Sequence, residues 1–411
     1  MAECEDLSPE LKEVQEAVEK GGLPLAAARA QKALVEFENT KLAIAITGET
    51  GSGKSSLVNA IRGIDHTHDK AAPVGVVETT MEPTKYTYPN NPNIEIWDLP
   101  GIGTTKFRAA EYVKKMEFKR YDFFIIVSNN RFKENDTKLA QEIQKMKKHF
   151  YFIRSKIDSD LGAAEKSQRN FNKDQTLQTI KDDCIKKLVE LEVECPKVFL
   201  VSAFELHLYD FPTFYKTLEK ELPEKQRDAL LLVLPNVSPD IINKKKKKLH
   251  QIIVLKALIS GAGGAIPIPG LSGLIDVGLI VSFAILCQKS VFLTSEGLQN
   301  LSRLSAVPLE ELKRGLKSPL AGIKITHDVI MKVLTTSAVY IGLVAIEELF
   351  KWVPILLGSV VGVTLSLATT YKALKYILDS LIDDAQTVFT RAKKTDFGLE
   401  CLIMFELFHI S

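Results

Sequence analysis

The run Gly48-Glu49-Thr50-Gly51-Ser52-Gly53-Lys54-Ser55 places glycines, a lysine and hydroxyls at the spacing that wraps a polyphosphate. Glycines let successive backbone N–H groups curl around phosphate oxygens. A helix opening at the end of such a loop adds a favourable dipole. In this arrangement Lys54 reaches the β- and γ-phosphates, the Ser55 hydroxyl faces Mg²⁺, and Ser56 continues the run into the helix. The apolar stretch Leu42–Thr47 precedes the loop and a helical pattern at Ser55–Ile61 follows it, which is the context the chemistry needs.

A second anchor is Asp98-Leu99-Pro100-Gly101, at the end of the apolar stretch Ile94–Trp97. A carboxylate there can hold a Mg²⁺-bound water, while the Gly101 N–H senses a γ-phosphate. A third anchor, Ser155-Lys156-Ile157-Asp158, follows Phe150–Ile153 and selects the base. Loops that read guanine carry Asn/Thr-Lys-x-Asp. The aspartate accepts from guanine N1–H and the 2-amino group, which adenine cannot supply, and the lysine stem lies on the base. A carboxylate left unpaired rejects the wrong base strongly. Ser155 departs from Asn/Thr but keeps a hydroxyl to tie its loop to the phosphate loop. Ser202 and Ala203, after the stretch ending at Val201, fit the loop whose backbone amide meets guanine O6. The ligands read from these residues are GTP/GDP with Mg²⁺.

These residues need strands to carry them. Short apolar runs at Leu42–Thr47, Ile94–Trp97, Phe123–Ser128, Phe150–Ile153 and Val198–Val201 read as buried strands. Helical patterns alternate with them at Ser55–Ile61, Ala109–Phe118, Lys138–His149, Gln175–Leu191 and Phe211–Leu222. Alternation of this kind predicts a mostly parallel sheet with helical crossovers, an α/β fold with ligands at the carboxyl ends of the strands. The expected organisation is an N-terminal helical segment over 1–40, the α/β domain over 41–225 and a C-terminal helical region over 226–411. At the N-terminus, Ser8-Pro9 opens a helix that Gly21-Gly22 ends, and a second run, Leu25 to Phe37, makes a hairpin with it.

Composition narrows the classes. The chain has 411 residues, 45% apolar and 25% charged, so a packed core rather than disorder is expected. A net charge of +2 supplies no global field for nucleic acid, and aromatic residues are not interleaved with basic ones, so nucleic acid is not an expected partner. Five scattered cysteines argue for a reducing compartment. The acidic start Met1-Ala2-Glu3-Cys4-Glu5-Asp6 is unlike a signal peptide and lacks the glycine that myristoylation needs, which points to the cytosol. His66-Thr67-His68 lacks an evident third ligand and reads as a loop rather than a metal site.

Further motifs extend the pattern: Val77-Glu78-Thr79-Thr80-Met81, Trp97-Asp98-Leu99-Pro100-Gly101-Ile102-Gly103, Tyr121-Asp122-Phe123-Phe124, Arg131-Phe132-Lys133-Glu134-Asn135-Asp136 and Lys156-Ile157-Asp158-Ser159-Asp160. With the phosphate loop, they resemble the immunity-related GTPases, densely over residues 41 to 215 and more thinly in the flanks. The resemblance implies a Ras-like P-loop GTPase domain on an all-helical domain built from both chain termini. It implies an interferon-inducible, dynamin-like GTPase of cell-autonomous immunity. Such proteins assemble through their nucleotide faces when GTP is bound, with themselves or with related GTPases, and bind intracellular or pathogen-vacuole membranes. A cytoplasmic protein peripherally attached to endoplasmic reticulum, Golgi or vacuole follows. Lys54 in the phosphate loop resembles the effector branch; the regulatory branch has methionine there.

Ras-like enzymes orient the attacking water with a glutamine after the glycine of the second anchor. This chain has Ile102, so hydrolysis by a single molecule should be slow. The resemblance implies that self-assembly supplies the missing help, with Glu78 at the dimer contact. Many members carry Thr-Gly where this chain has Val74-Gly75, leaving Thr79 and Thr80 as candidates to close on the metal. The expected catalytic residues are Lys54, Glu78 and Thr80. One alternative is a GTP-switched binding module with little turnover.

Two segments are unusually apolar. Trp352–Tyr371 has no charge and is long enough to cross a bilayer or to be a buried core helix. Leu255–Cys287, broken by glycines and prolines, has the composition of a shallow insertion or of a core. Lys244–Lys248 would surround a helix rather than form one face, though each lysine could add about 1 kcal/mol near an anionic bilayer.

Overall fold

Ser8 starts the first helix as the sequence suggests: its hydroxyl accepts the Leu11 N–H at 3.4 Å, and Pro9 follows in the first turn. Helix α1 spans Pro9–Glu38 but is broken at Gly22, whose φ of 68° and ψ of −162° are not helical. The computed structural model describes residues 8–75, 80–88, 91–102, 109–130, 132, 134–263, 271–336 and 365–407. Glu78, Thr79, Gly103 and residues 352–364 of the long apolar segment therefore lie outside the described residues, as do 264–270.

The next stretch builds a sheet. Strand β1 (Leu42–Gly48) is buried on both faces, as a strand between two helical layers must be. It leads into α2 (Lys54–Arg62), which ends at Gly63 in the left-handed conformation, φ 64°. Then follow β2 (Thr84–Tyr88), β3 (Asn91–Asp98), α3 (Ala109–Lys115), β4 (Phe123–Ser128), α4 (Glu134–Lys145), β5 (His149–Arg154), α5 (Ile157–Ser167), α6 (Lys173–Glu190), β6 (Val198–Leu200), α7 (Phe211–Glu221) and α8 (Glu224–Val233). The strand order is β2-β3-β1-β4-β5-β6, with only β2 antiparallel to its neighbour. A cluster including Trp97, Phe118, Phe124, Phe132, Leu139 and Phe152 packs one side of the sheet. Each such side chain, fully buried, contributes about 1.5–3 kcal/mol.

The remainder is helical: α9 (Pro239–Gly263), α10 (Leu271–Ser290), α11 (Ser295–Ser305), α12 (Leu309–Lys313), α13 (His327–Thr336) and α14 (Leu365–Leu407). The chain divides into a sheet unit, Thr40–Ser238, and a helical unit, Met1–Asn39 with Pro239–Ser411. The first unit ends after Ser238 rather than near residue 225, because α8 packs on β3.

In the helical unit α9 packs against both α1 and α14. Ser260 bonds Thr370 hydroxyl to hydroxyl at 2.8 Å, and His250 Nε2 lies 2.9 Å from the Tyr371 hydroxyl. The described end of the apolar segment, with Leu367, Thr370 and Tyr371 all buried, thus belongs to this packing. The lysine run is largely engaged within the unit. Lys244 pairs with Asp240, Lys246 with Asp379 at 2.8 Å, and Lys248 lies over the Phe37 ring. Lys245 is fully buried, donating to the Ser290 carbonyl at 2.7 Å beside the Phe292 ring. Among the described residues one stretch, Val277–Ser305, which runs from α10 into α11, contains a segment long and apolar enough to cross a membrane, with mean hydropathy 1.8 over its most apolar window. Core helices meet the same test, and Phe283, Ala284 and Cys287 within it are buried.

Candidate functional site

Parallel pairing brings the anchors together. Ile46 of β1 is in register with Asp98 of β3, and the Leu99 N–H donates to the Ile46 carbonyl at 3.0 Å. The Val201 N–H donates to the Arg154 carbonyl at 2.9 Å, placing the β6 end beside the β5 end. A cleft of about 390 Å³ opens at these strand ends. Thr50, Gly51, Gly53, Lys54, Ser55 and Ser56 line one wall. Thr80 and Gly101 line a second, and Ser155, Lys156, Asp158 and Ala203 a third.

The phosphate loop needs its glycines. Gly51 has φ 77° and Gly53 φ 91°, conformations that side chains disfavour. A Cβ on Gly48 would stand 2.1 Å from the Val127 carbonyl oxygen of the neighbouring strand. Lys54 is buried, and its ammonium donates to the carbonyls of Gly48, at 3.2 Å, and Glu49, at 2.8 Å. It is held across the loop where a polyphosphate would sit. Glu49 bridges Ile102, whose N–H donates to the Gly48 carbonyl at 3.1 Å. Gly101 therefore lies so close to the phosphate loop that a Cβ would meet the Thr50 hydroxyl at 2.1 Å.

Ser55, Asp98 and Thr80 converge. The Ser55 hydroxyl donates to Asp98 Oδ2 at 2.5 Å and the Thr80 hydroxyl to the same oxygen at 3.1 Å. The threonine that reaches this cluster among the described residues is thus Thr80. Asp98 is fully buried, and its Oδ1 has no hydrogen-bond partner among the described residues. Burial raises its carboxyl above the usual range, opposed by the Ser55 hydroxyl, the Lys54 ammonium and Thr80. Two hydroxyls and a buried carboxylate with one oxygen to spare are the oxygen donors a divalent ion such as Mg²⁺ takes, so these residues fit it.

The Ser155-Lys156-Ile157-Asp158 loop is tied as its serine suggested. The Ser155 hydroxyl donates to the Ser52 carbonyl at 2.6 Å. Lys156 adopts φ 58° before α5, and its ammonium donates to the Gly51 carbonyl at 3.0 Å, so its stem spans the cleft wall. Asp158 keeps a buried Oδ1 with no hydrogen-bond partner among the described residues, an acceptor poised for a base edge. Ser202 is fully buried behind the lining, and its hydroxyl accepts the Phe204 N–H at 3.2 Å.

Ile102 points elsewhere. Its side chain is 2% exposed and belongs to the core cluster with Tyr112 and Phe132, so it does not face the cleft. Sequence reasoning missed Tyr112. Its hydroxyl donates to the Pro100 carbonyl at 2.7 Å and lies 3.1 Å from the Thr47 hydroxyl, bracing the loop before Gly101 from below. No local pattern marks it. Phe204, missed as well, lines the cleft beside Ala203. Val74, the departure noted in the loop after α2, also lines it and is half exposed.

A mostly parallel sheet whose strand ends gather a phosphate loop, a buried Asp-x-x-Gly and a Ser-Lys-x-Asp loop defines a P-loop GTPase. Comparison with known proteins agrees. The family model described as Interferon-inducible GTPase (IIGP) matches residues 8–392. Interferon-gamma-inducible GTPase 10 of Mus musculus is 37% identical over 382 residues, covering 92% of this chain and 88% of the relative. Interferon-inducible GTPase 5 of Rattus norvegicus is 37% identical over 390 residues, covering 94% and 83%. Interferon-inducible GTPase 1 of Mus musculus is 40% identical over 303 residues, 73% of each chain. The chain belongs to the interferon-inducible GTPase family. It binds guanine nucleotide and hydrolyses GTP.

Proposed function

We propose that the protein is a self-assembling GTPase of cell-autonomous immunity, slow as a single molecule and accelerated when two copies meet at their nucleotide faces. The cleft residues divide the work. Lys54 and the phosphate-loop N–H groups hold the β- and γ-phosphates. The Gly101 N–H lies beside Thr50, where it senses the γ-phosphate. Asp158 accepts from the guanine edge, with the Lys156 stem along the base and Ser155 joining the two loops. Ser55, Thr80 and Asp98, the last through a water, are the residues that would hold Mg²⁺. Bound there, the ion would neutralise charge on the phosphates.

The observation that carries the assembly reading is the burial of Ile102. The position that orients water in Ras-like enzymes is committed to the core, so that function must come from another group. Glu78, outside the described residues, is our candidate for the contact with the second copy. Self-association, related GTPases as partners, and peripheral attachment to endoplasmic reticulum, Golgi or vacuolar membranes are part of this proposal, with the family resemblance as their support.

The test is GTP turnover per molecule against protein concentration, with Lys54→Ala as the inactive control. Specific activity should climb with concentration. Flat specific activity over a roughly hundredfold dilution series would reject assembly as the source of catalysis.

A further inference from the structure

Phe204 is 62% exposed, an unusual position for a phenyl ring. It is not loosely placed. Its N–H is held by the buried Ser202 hydroxyl at 3.2 Å. Its ring meets the His66 imidazole edge-to-face, with centroids 5.4 Å apart and planes at 74°. Phe204 also lines the cleft, with Ala203, Lys156 and Asp158.

His66 is itself fixed. Asn59, fully buried on α2, accepts the Ala72 N–H at 2.6 Å through Oδ1 and donates to the Ala72 carbonyl at 2.9 Å through Nδ2. Those two bonds set the orientation of its amide. Nδ2 then has a second hydrogen for His66 Nδ1, 3.2 Å away. The imidazole accepts there and carries its proton on Nε2. A chain of contacts thus runs from the helix that begins with Lys54, through the loop after it, to an aromatic ring at the base end of the cleft.

We propose that Phe204 is a nucleoside-contacting residue, its ring forming an apolar wall against the guanine or ribose, and that His66 positions it. The proposal rests on the reading that the nucleotide occupies this cleft with its base at Asp158. The ring is held at one edge by His66 and, among the described residues, is left mostly exposed, apolar surface that a nucleoside in the cleft would cover. Nucleotide pockets combine such apolar walls with a few directed polar groups. The contact is with the nucleoside, so it acts on GDP and GTP alike.

Calorimetric titration of the full chain with GDP and with a non-hydrolysable GTP analogue tests this. Phe204→Ala should weaken both by a similar factor, on the order of tenfold. His66→Ala should give a smaller loss of both, about threefold. Phe204→Trp should retain affinity, and its emission should change on GDP addition beyond any change in the wild type. Unchanged affinity in Phe204→Ala, a loss confined to the triphosphate, or a silent tryptophan would each overturn the proposal. Asp158→Asn separates the two levels. If it loses binding while Phe204→Ala does not, only the aromatic wall is rejected. If neither loses binding, the cleft reading fails as well.

Discussion

The Ser155 hydroxyl donates to the Ser52 carbonyl at 2.6 Å, joining the Ser-Lys-x-Asp loop, proposed to read the base, to the Gly48–Ser55 loop, proposed to hold the phosphates. The same hydroxyl lies 3.3 Å from the Ser128 carbonyl, so one side chain gathers three strand ends. Ser155→Ala should remove this tie at about 1 kcal/mol, or roughly fivefold in GTP affinity. Ser155→Thr keeps the hydroxyl and should bind as the wild type does. Equal affinity for the alanine variant, by equilibrium titration, would show that Lys156 and its bond to Gly51 are a sufficient tie.

Ile102 sits where Ras-like enzymes carry glutamine, yet its side chain packs in the core. Ile102→Gln should therefore bury an amide without a partner and cost about 2 kcal/mol. It should not speed hydrolysis, because the amide points away from the cleft. Denaturant unfolding reads the first effect and single-turnover kinetics at low protein concentration the second. A faster single-molecule rate would mean that the backbone here rearranges to present the side chain.

Much of this arrangement was legible in the residues, and the failures have physical causes. The five strands read from apolar runs are present because parallel strands buried on both faces must be apolar throughout. Strand β2 escaped notice: Thr84–Tyr88 is a short edge strand with only Tyr88 buried, so it carries no apolar run to read. Helix α5 starts inside the base-reading motif, after Lys156 in a left-handed conformation, so no capping residue announces it. The hydroxyl tie at Ser155 could be inferred from residue type. Ile102 could be identified as unsuited to orienting water, but its burial depends on α3 and α4 closing over it. The His66–Phe204 contact joins two loops far apart in the chain, and periodicity carries no information about it.

Lys245 offers a test of the helical unit. Burial holds its ammonium well below the ordinary lysine pKa. Between the folded and unfolded values the unfolded chain binds a proton that the folded chain does not, so wild-type stability rises with pH across that window. The stabilisation is complete above the ordinary lysine value and is lost as pH falls. Lys245→Met fills the same volume without a charge and should be the more stable protein near neutral pH. Its advantage in melting temperature should shrink as pH is raised towards about 10. A gap that stays constant with pH would mean that the folded protein keeps this lysine at its ordinary pKa.

The sheet unit is one unbroken stretch of chain, Thr40–Ser238, which in sequence interrupts the helical unit, made from the residues before and after it. During synthesis the nucleotide-binding half is therefore complete while α9 and α14 are still inside or behind the ribosome. Helix α1 emerges first but must wait for α9, leaving Leu11, Val14 and Val18 without their eventual covering. If the sheet unit folds as it emerges, the newborn chain would pass through a stage at which the cleft is formed while the apolar face of α1 is still uncovered. Nucleotide bound to that folded unit would steady it during the interval, and a chaperone would find its handle on α1.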